Sequence, residues 1–222
     1  GMTRRVLNEL KNRMEKRDEY KTFWDAFGIV LKEGIYEDFV NREEVAGLCL
    51  FASTAGDEMT TLADYVSRMK PDQKSIYYIT GDSAEVLKNN PQLEGYKARG
   101  LEVLLLSDPI DEFWPQTLTE YQGKTVKAVG AGAKEMEAMP ILDGSREQDK
   151  APEEDMNALI AFAKEIIGDE VKEVRATDRL TKSAAALSTG DGEVSIHLER
   201  LMRQHNQPSL YASNRYFDLN PR

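Results

Sequence analysis

The stretch Lys74–Lys124, KSIYYITGDSAEVLKNNPQLEGYKARGLEVLLLSDPIDEFWPQTLTEYQGK, leaves this chain few choices of fold. Ser75 to Thr80 is a run of Ile and Tyr closed by Gly81, which predicts a buried strand. Gly81-Asp82-Ser83 supplies a turn and a helix N-cap. A helix is expected from about Ala84 to Arg99, interrupted or restarted at Pro91 and closed by Gly100. Leu101 to Ser107 then holds the most apolar run of the chain. Two apolar strands joined by a helical crossover predict neighbours in one parallel sheet, with a right-handed connection.

The residues before this unit read as helical. Leu7, Leu10 and Met14 lie on one face of a charged helix over Thr3–Arg17. Tyr20, Phe23, Trp24, Phe27 and Leu31 recur at helical spacing, and such a stripe is read as core. Gly34 is expected to end that helix. Another is expected over Asp38–Leu50, burying Phe39, Val45, Leu48 and Phe51. Thr60 or Thr61 caps a short helix that stops before Pro71.

After the unit the character changes. Gly130 to Asp155 carries eight acidic and three basic residues with two Pro and three Gly. That composition cannot offset chain entropy and predicts a flexible linker. Beyond it come a helix over Met156–Ile167 with Gly168 as its cap, strands at Val171–Val174 and Ala185–Thr189, a helix over Glu193–His205, and a strand at Tyr216–Leu219. The expected fold class is α/β: a helical segment, a small αβα unit with a parallel sheet, a linker, and a small partial α+β domain. The expected boundaries are 2–129, 130–155 and 156–222. The chain stops at Asn220-Pro221-Arg222 without a closing element, which points to truncation.

Composition narrows function. A net charge of −10 argues against nucleic acid as the main partner. No apolar run reaches the length of a membrane span. One cysteine, Cys49, excludes an internal disulfide framework and fits a reducing compartment. With one Cys and two His there is little to build a zinc site from, and His197 and His205, eight apart on one helix, have no nearby Cys and no obvious nucleophile partner. Gly81-Asp82-Ser83 lacks the glycines and lysine of a phosphate loop.

Three features remain. Asp108, Asp111 and Glu112 follow the second strand, where carboxylates can hold Mg²⁺ for phosphoryl transfer or simply cap the next helix. Phe113-Trp114 place two rings beside that acidic turn, either packed on the sheet or anchoring a partner. Val194, Leu198, Leu201, Met202 and His205 form one stripe of the Glu193–His205 helix, with Glu199, Arg200 and Arg203 facing away. Little remaining chain is expected to cover that stripe.

Long ordered motifs then carry a resemblance. FWDAFGIVLKEGIYEDFVNRE (Phe23–Glu43), LADYVSRMKPDQKSIYYITGDS (Leu62–Ser83) and GLEVLLLSDPIDEFWPQTLTEYQGK (Gly100–Lys124) resemble the middle domain of the ninety-kilodalton heat-shock chaperones, in their bacterial form. VKEVRATDRLTKSAAAL (Val171–Leu187) and FDLNP (Phe217–Pro221) resemble the start of that family's C-terminal domain. The resemblance implies a piece of a cytoplasmic, ATP-dependent chaperone that holds non-native client proteins. It implies that the ATP- and Mg²⁺-binding domain and the helices of the family's homodimer lie outside this chain. The piece itself is then expected to be no enzyme, to hold no cofactor and to be mainly monomeric. The client-contact positions it implies are Glu112, Phe113, Trp114 and Gln116, with Phe113 and Trp114 competing for one aromatic role. On the amphipathic helix it adds Val194, Leu198, Leu201 and Met202. The rival readings are a Mg²⁺-dependent phosphoryl-transfer domain and a purely structural module coupling an ATPase domain to a dimer interface.

Overall fold

The structure, a computed structural model, describes residues 2–142, 150–190, 195–204 and 214–222. In chain order the helices are α1 (Met2–Met14), α2 (Arg17–Glu37), α3 (Arg42–Ala46), α4 (Leu62–Arg68), α5 (Ala84–Lys88), α6 (Glu94–Ala98), α7 (Trp114–Thr117), α8 (Ala133–Glu137), α9 (Glu153–Ile167) and α10 (Ile196–Gln204). The strands are β1 (Phe51–Ser53), β2 (Gly56–Thr60), β3 (Ser75–Thr80), β4 (Val103–Leu106), β5 (Glu120–Tyr121), β6 (Lys124–Ala128), β7 (Glu173–Ala176), β8 (Ala185–Thr189) and β9 (Arg215–Leu219). Two compact units result, one of residues 1–84 with 104–127, the other of residues 85–103 with 128–222.

The first unit is built on a sheet of order β2-β1-β4-β3-β6-β5. The apolar runs at Ser75–Thr80 and Val103–Leu106 are neighbouring inner strands, and β4 is buried throughout. Gly81 N–H, just past β3, donates to Leu106 O at 3.1 Å, so the C-terminal ends of the two strands lie side by side, as the crossover predicts. The α/β class therefore holds, but the sheet is mixed rather than parallel. β1 runs antiparallel to both β2 and β4, and β5 antiparallel to β6. Both hairpins went unread in the sequence. In the second, Gln122 and Gly123 take φ of 48° and 73°, the two left-handed positions that a tight two-residue turn requires.

Helix α2 is longer than expected and runs through Gly34, because Ile35 is completely buried and draws another turn into the core. Tyr20 and Trp24 are buried, but Phe27 is half exposed. The helix expected over Asp38–Leu50 shrinks to α3. Phe39, expected in the core, is 81% exposed, and its neighbour Val40 is 87% exposed. Asp38 accounts for this. Its carboxylate accepts the N–H groups of Val40 (3.2 Å) and Asn41 (3.1 Å) and the Asn41 side chain (2.8 Å), which holds a turn where the helix would otherwise continue. Thr61, one of the two expected caps, accepts Asp64 N–H at the start of α4.

In the second unit Pro91 opens a 3₁₀ turn, Pro91–Leu93, between α5 and α6, and Gly100 (φ 63°) follows α6. Part of the stretch expected to be a linker is ordered: Ala133 and Met136 of α8 are buried. Gly95 of α6 permits this, since a Cβ there would stand 2.8 Å from Met136 Cε and 3.1 Å from Arg179 O. A second sheet, order β7-β9-β8, pairs β7 with β9 in parallel and β8 with β9 antiparallel. Met156 of α9 packs there with Val174 and Leu219. Leu159, Phe162 and Ile166, on another face of α9, are exposed.

Candidate functional site

The corner after β4 is fixed by a charge cluster. Asp108 precedes the 3₁₀ turn Pro109–Glu112, and Asp111 Oδ2 accepts Asp108 N–H at 2.9 Å. Lys32 of α2 reaches in with its ammonium, 2.8 Å from Asp108 Oδ2 and 2.9 Å from Asp111 Oδ2. Asp111 is fully buried and Lys32 nearly so. Burial alone would pull the Lys32 pKa down. The carboxylates of Asp111 and Asp108 outweigh it and hold the ammonium above its ordinary value. Two of the three acidic residues read as a possible Mg²⁺ site, Asp108 and Asp111, thus already hold a cation, the side chain of Lys32. Among the described residues no group of three or more His, Cys, Asp or Glu is arranged to bind a metal.

This cluster decides which of the two adjacent rings goes inward. Asp111 Oδ1 accepts the Trp114 indole N–H at 2.7 Å. Trp114 is fully buried, 5.4 Å between centroids from Phe51, and the Lys32 ammonium lies 5.2 Å from the same Phe51 ring. With Trp114 anchored at the start of α7, Phe113 is left on the surface, 42% exposed, edge-on to Tyr36 at 6.3 Å. Gln116 is exposed and donates to the Glu112 backbone carbonyl at 2.9 Å. Glu112 itself is buried. Burial, with the Glu112 charge adding to it, pushes the nearby Tyr78 hydroxyl up to about 12. Of the four residues named at this corner, Phe113 and Gln116 therefore face solvent, while Glu112 and Trp114 do not.

Arg42 extends the surface. Its guanidinium donates to the carbonyls of Ile35 (2.7 Å), Thr117 (3.1 Å) and Tyr36 (3.3 Å), tying the end of α2 to the end of α7. It also lies 5.2 Å from the ring of Phe39. Tyr36, Phe39, Val40 and Phe113 are all exposed around this brace. Their helical neighbours read as core in the sequence. The Asp38 turn, which aims Phe39 and Val40 outward, was the one local signal that could have corrected that reading.

The second group of candidates lies on α10. Val194 and His205 are outside the described residues. Leu198 is 7% exposed, so the stripe expected to be uncovered is packed at that position, while Leu201 and Met202 are half-buried. Glu199, expected to face solvent, is 3% exposed. Its Oε1 takes Arg203 at 2.8 Å and Arg215 of β9 at 3.0 Å. The ion pair to β9 turns the helix so that Leu198 and Glu199 both face protein.

Comparison with known proteins now bears on this surface. The family model described as Hsp90 protein matches residues 1–222. The chain belongs to the Hsp90 family. It is 47% identical over 226 residues to chaperone protein HtpG of Paramagnetospirillum magneticum, covering 100% of this chain and 36% of that protein. It is 43% identical over 228 residues to HtpG of Rhodospirillum rubrum and 44% identical over 223 residues to that of Gluconobacter oxydans, again over the whole chain. The chain thus spans about a third of the length of these Hsp90 relatives. No helix among the described residues is long and apolar enough to cross a membrane.

Proposed function

We propose that this chain is a client-holding segment of an ATP-dependent Hsp90 chaperone of the cytoplasm. In this reading it captures partly folded proteins weakly and leaves ATP and Mg²⁺ chemistry, and the homodimer contact, to other parts of the chaperone. The segment alone is then no enzyme and mainly monomeric. The observation that carries the reading is the division of labour at the Asp108–Thr117 corner. Asp111 and Lys32 anchor Trp114 in the core, and Phe113 is thereby presented to solvent against Tyr36. A rigid support under an exposed ring supplies contact area at small ordering cost, which suits brief capture of varied apolar segments. Gln116 adds a polar contact beside it. On α10, Leu201 and Met202 are the candidates that retain exposed surface, whereas Leu198 acts through packing.

The test is binding of a permanently unfolded probe, reduced and carboxymethylated α-lactalbumin labelled with fluorescein, followed by anisotropy. Phe113→Ser is expected to weaken binding about fivefold or more while leaving the melting curve unchanged, since one covered apolar side chain contributes roughly 1.5–3 kcal/mol before ordering costs. Unchanged affinity in that variant removes the corner from the client surface.

A further inference from the structure

Phe113 is one end of a larger exposed apolar surface. Tyr36 touches it, and Phe39 and Val40 stand beyond on the turn held by Asp38 and braced by Arg42. From Val40 the surface continues into an open, shallow cavity of about 640 Å³ whose lining includes Met14, Leu48 and Tyr121. The wall of that cavity carries Glu43 and Glu44, the second paired with Lys11.

The charges around these apolar groups are one-sided. From Glu33 to Glu44 the chain has Glu33, Glu37, Asp38, Glu43 and Glu44 against the single cation Arg42. The Arg42 guanidinium is spent on backbone carbonyls and the Phe39 face. Lys32 is buried against Asp108 and Asp111. Glu33 and Glu37 are exposed, have no ion pair among the described residues, and stand one helical turn apart. Tyr36 lies three residues from Glu33 and next to Glu37 on the last turns of α2, which puts carboxylates on the same end of the helix as the exposed ring.

We propose that Tyr36, Phe39, Val40 and Phe113, rimmed by Glu33 and Glu37, form one docking strip for an unfolded segment that is both apolar and cationic. This rests on the client-holding reading and specifies the chemistry of the client. Aromatic and aliphatic groups of the segment cover the strip. Its Lys or Arg side chains meet Glu33 and Glu37 and, further along, Glu43 at the cavity wall. At physiological salt the Debye length of about 8 Å confines the attraction to segments already in contact, so charge selects among apolar segments rather than capturing charged ones by itself.

The probes are two fluorescein-labelled peptides of equal length and equal Phe and Leu content, with lysines or glutamates at the other positions, titrated with the whole chain. The lysine peptide is expected to bind about tenfold more tightly at low salt, the difference closing as salt shortens the screening length to about 3 Å. Phe39→Ser with Val40→Ser is expected to weaken it about tenfold. Glu33→Gln with Glu37→Gln is expected to weaken the lysine peptide about threefold and to bind the glutamate peptide no more weakly than the parent chain does. All four residues are exposed, and superimposable melting curves check that the variants remain folded. Equal affinity for the two peptides overturns the proposal. So does loss of binding in Phe113→Ser with none in the Phe39 and Val40 double variant, a result that leaves the client-holding reading standing. If Phe113→Ser also binds both peptides as the parent chain does, the client-holding reading falls with it.

Discussion

The first unit and the second sheet each hold themselves together by different means. The first has an apolar core from Leu7 of α1 to Val126 of β6, and its buried charges, Lys32 with Asp111 and Glu112, lie between α2 and the turn after β4. The core of the second sheet reduces to Met156, Val174 and Leu219 with half-buried neighbours. Polar staples supplement it. Asp218 of β9 accepts Arg175 at 2.6 Å and the Ser188 hydroxyl at 2.6 Å, linking all three strands of the sheet. Glu94 of α6 accepts the backbone N–H groups of Thr181, Lys182 and Ser183. Apolar burial is non-directional and tolerates repacking, whereas a staple depends on the one group that makes it. The first unit should therefore lose most from truncation of a large side chain, and the second sheet from removal of a single charge.

The largest effect is expected at Trp114. Trp114→Ala empties a fully buried ring site against Phe51 and removes the indole partner of Asp111. A loss of about 3–5 kcal/mol is expected in denaturant unfolding. The chain has two Trp, Trp24 and Trp114, both in the first unit, so the fluorescence of Trp24 reports that unit in the variant. A loss below about 1 kcal/mol would contradict the anchoring of this corner by its tryptophan.

Legibility in the sequence follows the same division. The strands at 75–80 and 103–106 were readable because inner strands are almost unbroken apolar runs. Thr61 and Gly100 were readable because caps and left-handed turns demand particular residues. The β1–β2 hairpin was not, since Phe51-Ala-Ser is too short to show alternation and Thr54-Ala55 is no typical turn pair. Helix α8 was hidden by its Gly- and Glu-rich surroundings, although Ala133, Met136 and Met139 keep a spacing of three. At the candidate site, sequence proposed Phe113 and Trp114 without separating them. The separation depends on Lys32, which lies 79 residues from Asp111 and has no local signature. The exposure of Phe39 and the burial of Glu199 likewise depend on partners that periodicity does not register.

Lys32→Met sharpens the comparison from within the first unit, since it removes one charge from an apolar setting. Asp111 would be left buried without its cation, at a cost of about 3 kcal/mol. The cost falls at the low end for a broken buried pair because Asp108 keeps a third of its side-chain surface in water. The pH dependence carries a sign. The folded-state pKa of Lys32 lies above the ordinary lysine value of 10.5, so its contribution is complete below about pH 10.5 and is lost as pH rises through the folded value. On the alkaline side the gap between parent and variant should stay flat from neutral pH and narrow only in strong alkali. A gap that already closes in mild alkali would show that the ion pair is not its source.

The smallest effect is expected at Glu94, and it tests the staples of the second unit. The Glu94 carboxylate receives Thr181 N–H at 2.5 Å, Lys182 N–H at 2.8 Å, Ser183 N–H at 3.1 Å and the Ser183 hydroxyl at 2.5 Å. Burial raises its pKa, but the donors from Ser183, Lys182 and Thr181 together hold it below the ordinary glutamate value of 4.5. Glu94→Gln keeps the shape and one acceptor while losing the charge, and about 1 kcal/mol is expected from the weakened hydrogen bonds. Because the folded pKa is depressed, the contribution is full above about pH 4.5 and disappears as pH falls through the folded value. Amide resonances of Thr181, Lys182 and Ser183 provide a local readout. In the parent chain they should shift with a common midpoint below pH 4.5, and in Glu94→Gln that step should be absent. A midpoint at or above 4.5 would mean that these donors do not stabilise the carboxylate, and that the apolar contacts of the second unit hold it without them.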